Sequence, residues 1–307
     1  MTTYGSATAA ITGQEHWAHK GDVRLFLWEK YTGAPRQEGR TRLFVHDSSM
    51  ASQQTFDRQV PGRPSAMDHF AGLGYDTWCV DMEGYGRSDK HRDINADIAT
   101  GADDLAAATD YIRRTRGVES MLIYGISPGA LRAALFAQRH REGVKRLALD
   151  AFVWTGQGSP TLAERRKRLP EFQARNRQPI DGAFVRSIFT RDHPGTADPA
   201  VVDAFAEAIL ARDTSVPTGT YVDMCANLPV VDPERITAPT LIMRGQYDGI
   251  AGLDDLLDFF TRLPNPDKHF AVMPGFAHAS FQEKNYLIAY HIFHAFFSRP
   301  EPVYRGQ

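Results

Sequence analysis

The chain of 307 residues is 42% hydrophobic and 23% charged, with a formal net charge of −2. That length suits one large α/β domain with an insertion, or two small domains, and the composition is that of an ordinary soluble globular protein. The near-neutral balance gives no reason to expect nucleic acid or an acidic membrane as partner. The two cysteines, Cys79 and Cys225, are too few for a disulfide framework.

Met1 to Glu15 lacks a basic region followed by an apolar core, so no signal peptide is expected. No apolar run approaches the roughly 18–20 residues that span a bilayer, and the cytoplasm is the expected location. Residues 1 to about 20 read as a loose start. Strands are expected at 24–31, 41–46 and 76–81, with a turn at Thr32-Gly33-Ala34-Pro35 and a helix from Pro64 to Leu73. Cys79 falls inside the third of these strands and reads as a buried free thiol. A helix from Thr100 to Arg116 closes at Gly117, and the apolar run Met121-Leu122-Ile123-Tyr124 follows. An alanine-rich helix from Gly129 to Arg139 and a strand at 145–152 come next. Short apolar strands alternating with helices imply a parallel sheet covered on both faces.

The alternation then stops. From Gly156 to about Ile236 the pattern is helical and irregular, interrupted by eight prolines. A structureless loop of roughly 80 residues is not expected inside a domain, so 156–236 is predicted to be a helical cap on a core formed by 1–155 and 237–307. Strands resume at 240–245 and 268–273, and a last helix is expected from about Ser280 to Ser298. Asp254 and Asp255 read as the solvated first turn of a helix.

Chemistry concentrates at the ends of these strands. Gly125-Ile126-Ser127-Pro128-Gly129 sits between a strand and a helix, Asp248 ends Arg244-Gly245-Gln246-Tyr247-Asp248, and His278 ends Pro274-Gly275-Phe276-Ala277-His278. His46 follows an early strand, and Gly84-Tyr85-Gly86-Arg87-Ser88 forms a tight turn. One such pattern alone is weak evidence. Five in this order closely resemble the α/β-hydrolase superfamily over residues 24–155 and 237–298. The resemblance implies an α/β-hydrolase fold: a mostly parallel central sheet flanked by helices, with the helical cap inserted after the sixth strand, the one ending near Phe152. It makes Ser127 the nucleophile on a sharp strand-to-helix turn, eased by a glycine two places to either side.

A serine hydroxyl is a poor nucleophile until a base removes its proton. By the resemblance His278 is that base and Asp248 orients it. His291 and His294 compete less well, lying within the last helix. Asp150, which also ends a strand, rivals Asp248, since haloalkane dehalogenases carry their acid near that point. With serine as nucleophile, the implied reaction is acyl transfer to water through an acyl-enzyme, on a small or medium carboxylic ester. No metal or other cofactor is implied, because no His/Cys/Asp cluster shows ligand spacing.

The oxyanion hole departs from the family pattern. Its first donor comes from the loop after the early strand, here His46-Asp47-Ser48-Ser49, where Ser48 N–H is the best-placed donor and Ser49 the next. The second normally comes from the residue after the nucleophile, and Pro128 has no N–H. Three readings follow: an esterase with a replacement donor, a scaffold cleaving amide, carbamate or activated C–C bonds, or a weakly active ligand-binding member.

Between Glu164 and Arg191 eight basic residues stand against three acidic ones. Arginine binds carboxylates bidentately, so the cap could select an ester bearing a free acid, or its charges could simply be solvated. His46, Trp154, Tyr247 and Phe276 are the expected pocket residues, the substrate is a small-molecule ester, and a homodimer is left open.

Overall fold

The structure, a computed structural model, describes residues 10–35 and 39–304. Residues 1–9 of the expected loose start lie outside the described residues.

An eight-stranded sheet forms the centre, and its strands in chain order are β1 (Ile11–Lys20), β2 (Val23–Thr32), β3 (Thr41–Val45), β4 (Asp76–Val80), β5 (Met121–Ile126), β6 (Val144–Asp150), β9 (Thr240–Gly245) and β10 (Lys268–Met273). Their spatial order is β1-β2-β4-β3-β5-β6-β9-β10. β1 and β2 pair antiparallel with their neighbours, and every other pairing is parallel. Every residue of β3, β4 and β5 is buried, which is why these segments read as continuous apolar runs rather than alternating ones.

The helices α1 (Ser52–Phe56), α2 (Ala66–Gly72), α3 (Ile98–Arg116) and α4 (Pro128–Arg139) connect the strands up to β6, and α10 (Leu253–Arg262) and α11 (Tyr286–Ser298) belong to the C-terminal part. Local chemistry sets their limits. Ser65 Oγ accepts the Asp68 N–H to start α2, and an Asp97 carboxylate oxygen accepts the Thr100 N–H to start α3. Gly117 ends α3 in the left-handed conformation, donating to the Arg113 carbonyl.

Two expectations change at the ends of the chain. Residues from Ile11 are not a loose start but the ten-residue strand β1, paired along its whole length with β2. It sits at the sheet edge, and six of its ten residues are exposed. Its buried anchor is His16, whose Nε2 lies 2.9 Å from Glu29 Oε2, so the hydrophobic signal is faint. The last helix begins at Tyr286 rather than Ser280. The Glu283 carboxylate accepts the N–H groups of Ala277 and Ala279, and Ser280 Oγ donates to Asp150. Residues 280–285 are spent closing the preceding loop.

Between β6 and β9 lies an insertion of five short helices, α5 (Pro160–Arg166), α6 (Leu169–Gln173), α7 (Gly182–Thr190), α8 (Pro199–Leu210) and α9 (Gly219–Val222). It also holds an antiparallel ribbon of β7 (Arg177–Pro179) and β8 (Ser215–Pro217), which the periodicity did not suggest. The insertion is tied to the core: Arg177 Nη1 donates to Gly84 O at 2.9 Å, and Gly219 N–H to Asn95 O at 2.7 Å. Asp255 is buried rather than solvated, because its carboxylate accepts the N–H groups of Trp154, Thr155 and Gly156 where the chain enters the insertion. No helix among the described residues is long and apolar enough to cross a membrane.

Candidate active site

Ser127 stands between β5 and α4 with φ 57° and ψ −126°, a left-handed conformation that a non-glycine residue adopts only when its surroundings enforce it. The enforcement is visible. Ser127 N–H donates to Asp150 O at 2.8 Å, and Ser127 O accepts the Ala130 N–H at 2.9 Å. The flanking glycines serve close packing rather than unusual dihedrals. A Cβ on Gly125 would lie 2.4 Å from Gly129 O, and one on Gly129 would lie 2.3 Å from His46 O. Helix α4 therefore approaches the ends of β3 and β5 at a distance only glycine permits.

The structure brings Ser127, His278 and Asp248 together from three separate loops, all of them nearly closed to solvent. His278 Nε2 lies 2.9 Å from Ser127 Oγ, and Nδ1 lies 3.1 Å from Asp248 Oδ1. The same Asp248 oxygen accepts the N–H groups of Ile250 at 2.9 Å and Ala251 at 3.3 Å. Burial acts to raise the Asp248 carboxyl, but the neighbouring His278 imidazole and these hydrogen bonds hold it below the usual carboxylate range. An ionised acceptor opposite Nδ1 fixes the proton there and leaves Nε2 bare to take the serine proton. Arg244 clamps the acid loop, donating to the carbonyls of Gly245, Gln246, Asp248 and Ala251.

Asp150 also lies fully buried, and its carboxylate faces other groups: Tyr124 OH at 2.6 Å and Ser280 Oγ at 3.0 Å. Burial, reinforced by the Asp248 charge, pushes it up to about 7.

The loop after β3 is braced from within. Met82 N–H donates to His46 Nε2 at 3.1 Å, so that nitrogen accepts and Nδ1 carries the proton given to Asp47 O at 2.7 Å. Burial holds His46 well below its ordinary value, in the neutral form. Arg132 Nη1 donates to the carbonyls of His46 and Asp47. The Asp47 carboxylate accepts the N–H of Ser49 at 2.5 Å and of Met50 at 3.1 Å. Ser49 N–H is thus already spent, a correction to its candidacy as an oxyanion donor. Its Oγ lies 3.0 Å from Tyr221 OH. Among the described residues, no acceptor engages Ser48 N–H or Gly129 N–H.

Three of the expected pocket residues lie elsewhere. His46 is fully buried with both ring nitrogens engaged. Phe276 is fully buried in the apolar layer with Met243, Met273 and Phe281. Trp154 packs on Phe259, with its Nε1 donating to Val231 O at 3.0 Å at the root of the insertion. Tyr247 is 37% exposed and stacks on His193 of the insertion, centroids 3.9 Å apart.

Asp192 carried no sequence signal, standing in the insertion outside any motif. One of its oxygens lies with ligand atoms of Asp248 and His278 in a cluster no wider than 4.8 Å, the one group of potential metal ligands among the described residues. Asp248 and His278 are committed to each other there, so a cation would compete with that pairing.

The model of a family described as "Serine aminopeptidase, S33" matches residues 64–285. Among curated proteins, a 2-hydroxy-6-oxononadienedioate/2-hydroxy-6-oxononatrienedioate hydrolase of Paraburkholderia phymatum is 25% identical over 287 residues, covering 88% of this chain and 91% of that protein. The uncharacterized protein YnbC of Escherichia coli is 23% identical over 230 residues, 71% of this chain, but the chain spans only 37% of the length of that relative. Among solved structures, E-2-(acetamidomethylene)succinate hydrolase superposes with a TM-score of 0.70 at 19% identity, covering 94% of this chain and all of that one.

Proposed function

The chain belongs to this S33 family of α/β-hydrolases, and from that premise we propose that it hydrolyses a small or medium carboxylic ester through an acyl-enzyme on Ser127. The observation that carries the reading is the 2.9 Å contact from Ser127 Oγ to an imidazole nitrogen left bare by its partner's bond to Asp248.

In the proposed cycle, Ser127 Oγ attacks the ester carbonyl as its proton passes to His278 Nε2. Asp248 stabilises the imidazolium, which then protonates the departing alkoxide. Water, deprotonated by the same nitrogen, releases the acid and restores the serine. Ser48 N–H and the Gly129 N–H at the start of α4 are the proposed oxyanion donors, Gly129 standing in for the proline before it. The insertion, reaching the site through Tyr221 and Asp192, acts as the lid that excludes water.

A fluorophosphonate probe should label Ser127 stoichiometrically, and Ser127→Ala should abolish labelling. An unlabelled wild-type protein with intact fold would overturn the reading. The proline offers a second measurement. Removing one oxyanion donor costs on the order of 10²–10³ in rate, so Pro128→Ala, which restores an N–H, should raise kcat on an activated ester by roughly tenfold. An unchanged kcat would mean that the hole is complete without residue 128.

A second reading, cleavage of an activated C–C bond, is favoured by the Paraburkholderia relative, whose name describes a 2-hydroxy-6-oxo dicarboxylate as substrate. A panel of esters and enol-keto acids scored by kcat/KM separates the two.

A further inference from the structure

The basic stretch of the insertion divides into two kinds of residue. Lys167, Arg168 and Arg186 pair with Glu164, Glu171 and Asp203 at 2.7, 3.0 and 2.8 Å, and all six side chains are exposed. These are solvated pairs that contribute little. Arg165 differs. Its Nη1 is closed off from solvent and has no hydrogen-bond partner, and among the described residues it forms no ion pair. Burial, with the Arg191 charge nearby, pushes its guanidinium down to about 10. Arg191 Nε is likewise buried without a hydrogen bond, and lies 3.6 Å from Asp192 Oδ1.

Arg165 is placed to face the reacting centre. Thr161 and Arg165, four residues apart, share one face of α5. Thr161 Oγ1 donates to Asp192 Oδ1 at 2.9 Å, and Asp192 reaches Asp248 and His278. On its other side the Arg165 guanidinium lies 5.5 Å from the ring centroid of Tyr221, whose hydroxyl contacts Ser49 of the loop after β3. Arg165 therefore stands between the acid–histidine side of the site and its oxyanion side. Both guanidinium groups lie near one carboxylate, Asp192, yet the buried nitrogens Arg165 Nη1 and Arg191 Nε have no hydrogen-bond acceptor. A buried polar atom without a partner requires an explanation. A bound carboxylate supplies the missing acceptor, in the planar geometry that guanidinium matches.

We propose that Arg165, assisted by Arg191, binds a free carboxylate on the substrate, so that the preferred substrates are monoesters of small dicarboxylic acids. The proposal names the substrate class of the ester-hydrolase reading above and rests on it for the chemistry, but not for the binding.

The test uses two ligands that differ by one methyl group, and with it by that charge, monomethyl glutarate and dimethyl glutarate, titrated calorimetrically into Ser127→Ala protein. Monomethyl glutarate should bind more tightly, and adding Arg165→Gln should weaken it by about 30-fold while leaving dimethyl glutarate within about twofold. Arg165→Lys, which keeps the charge without the fork, should recover part of the loss. Because the substitution breaks no hydrogen bond or ion pair among the described residues, the melting temperature should stay nearly the same. Equal binding of the two ligands by the parent protein, or equal weakening of both by Arg165→Gln, would overturn the inference. On the Ser127 protein, p-nitrophenyl hemiglutarate and p-nitrophenyl valerate provide the separate check. If neither turns over while the binding difference persists, the ester-hydrolase reading fails and the carboxylate site stands.

Discussion

Asp248→Asn is expected to lower kcat by about ten-thousand-fold with little change in fold, whereas Asp150→Asn should leave kcat within about threefold. The two aspartates end neighbouring strands, and only one faces the imidazole. Asp248 accepts from His278 Nδ1. An asparagine there can turn its amide toward Nδ1, forcing the proton to Nε2, where it blocks acceptance from Ser127. Asp150 faces Tyr124 and Ser280 instead. Steady-state kinetics on one activated ester decides the matter, and equal losses in the two variants would contradict the assignment.

The same pair separates in stability against pH. The Asp150 carboxyl is raised from 3.8 to about 7 in the folded protein. The folded state therefore holds a proton that the unfolded chain releases near pH 4, and the stabilisation present below about pH 4 is lost as pH rises through about 7. Asparagine mimics the neutral acid. Asp150→Asn should match the wild type in acid and exceed it near neutral pH, by roughly 4 kcal/mol at most. Urea melts at several pH values would show this, and a constant difference across the range would refute it.

Gly129→Ala is the second large expected effect: about 3 kcal/mol of stability and at least a hundredfold in kcat. The new Cβ would stand 2.3 Å from His46 O and 2.4 Å from Val45 O, both backbone atoms that cannot swing away. Helix α4 would have to withdraw from the end of β3, carrying Ser127 and the 46–49 loop out of register. Gly72→Ala provides the control, since nothing lies within 4 Å of its Cβ position. It sits in the last turn of α2, where alanine is favoured over glycine by about 1 kcal/mol. Melting temperatures of the two variants, measured side by side, should move in opposite directions.

Much of this molecule is readable in one dimension because its signals are local. Ser127, Asp248 and His278 each end a contiguous strand-to-loop segment, and the alternation of apolar strands with helices is enough to order those segments in a parallel sheet. The family assignment rests on that same contiguous pattern. The edge strand β1 was hidden because its buried members are only His16, which is polar and satisfied by Glu29 from the next strand, and the small Ala18. The aromatic residues misled for a related reason. Trp154 follows the strand that ends at Asp150 and Phe276 lies two residues before His278, but whether a side chain points into a cavity or into the core depends on the elements packed against it.

The amino-acid sequence by itself determined the fold class, the strand-end position of Ser127, Asp248 and His278 and the missing N–H at Pro128, since each follows from residue type and short-range order. Tertiary structure alone decided which aspartate meets His278, that the Ser49 N–H is consumed by Asp47, and that Arg165 stands without a partner while its neighbours on the same stretch are paired. These are outcomes of distance and burial between segments far apart in the chain. Charge pairing and desolvation act through space, and a sequence records which charges exist but not which of them meet.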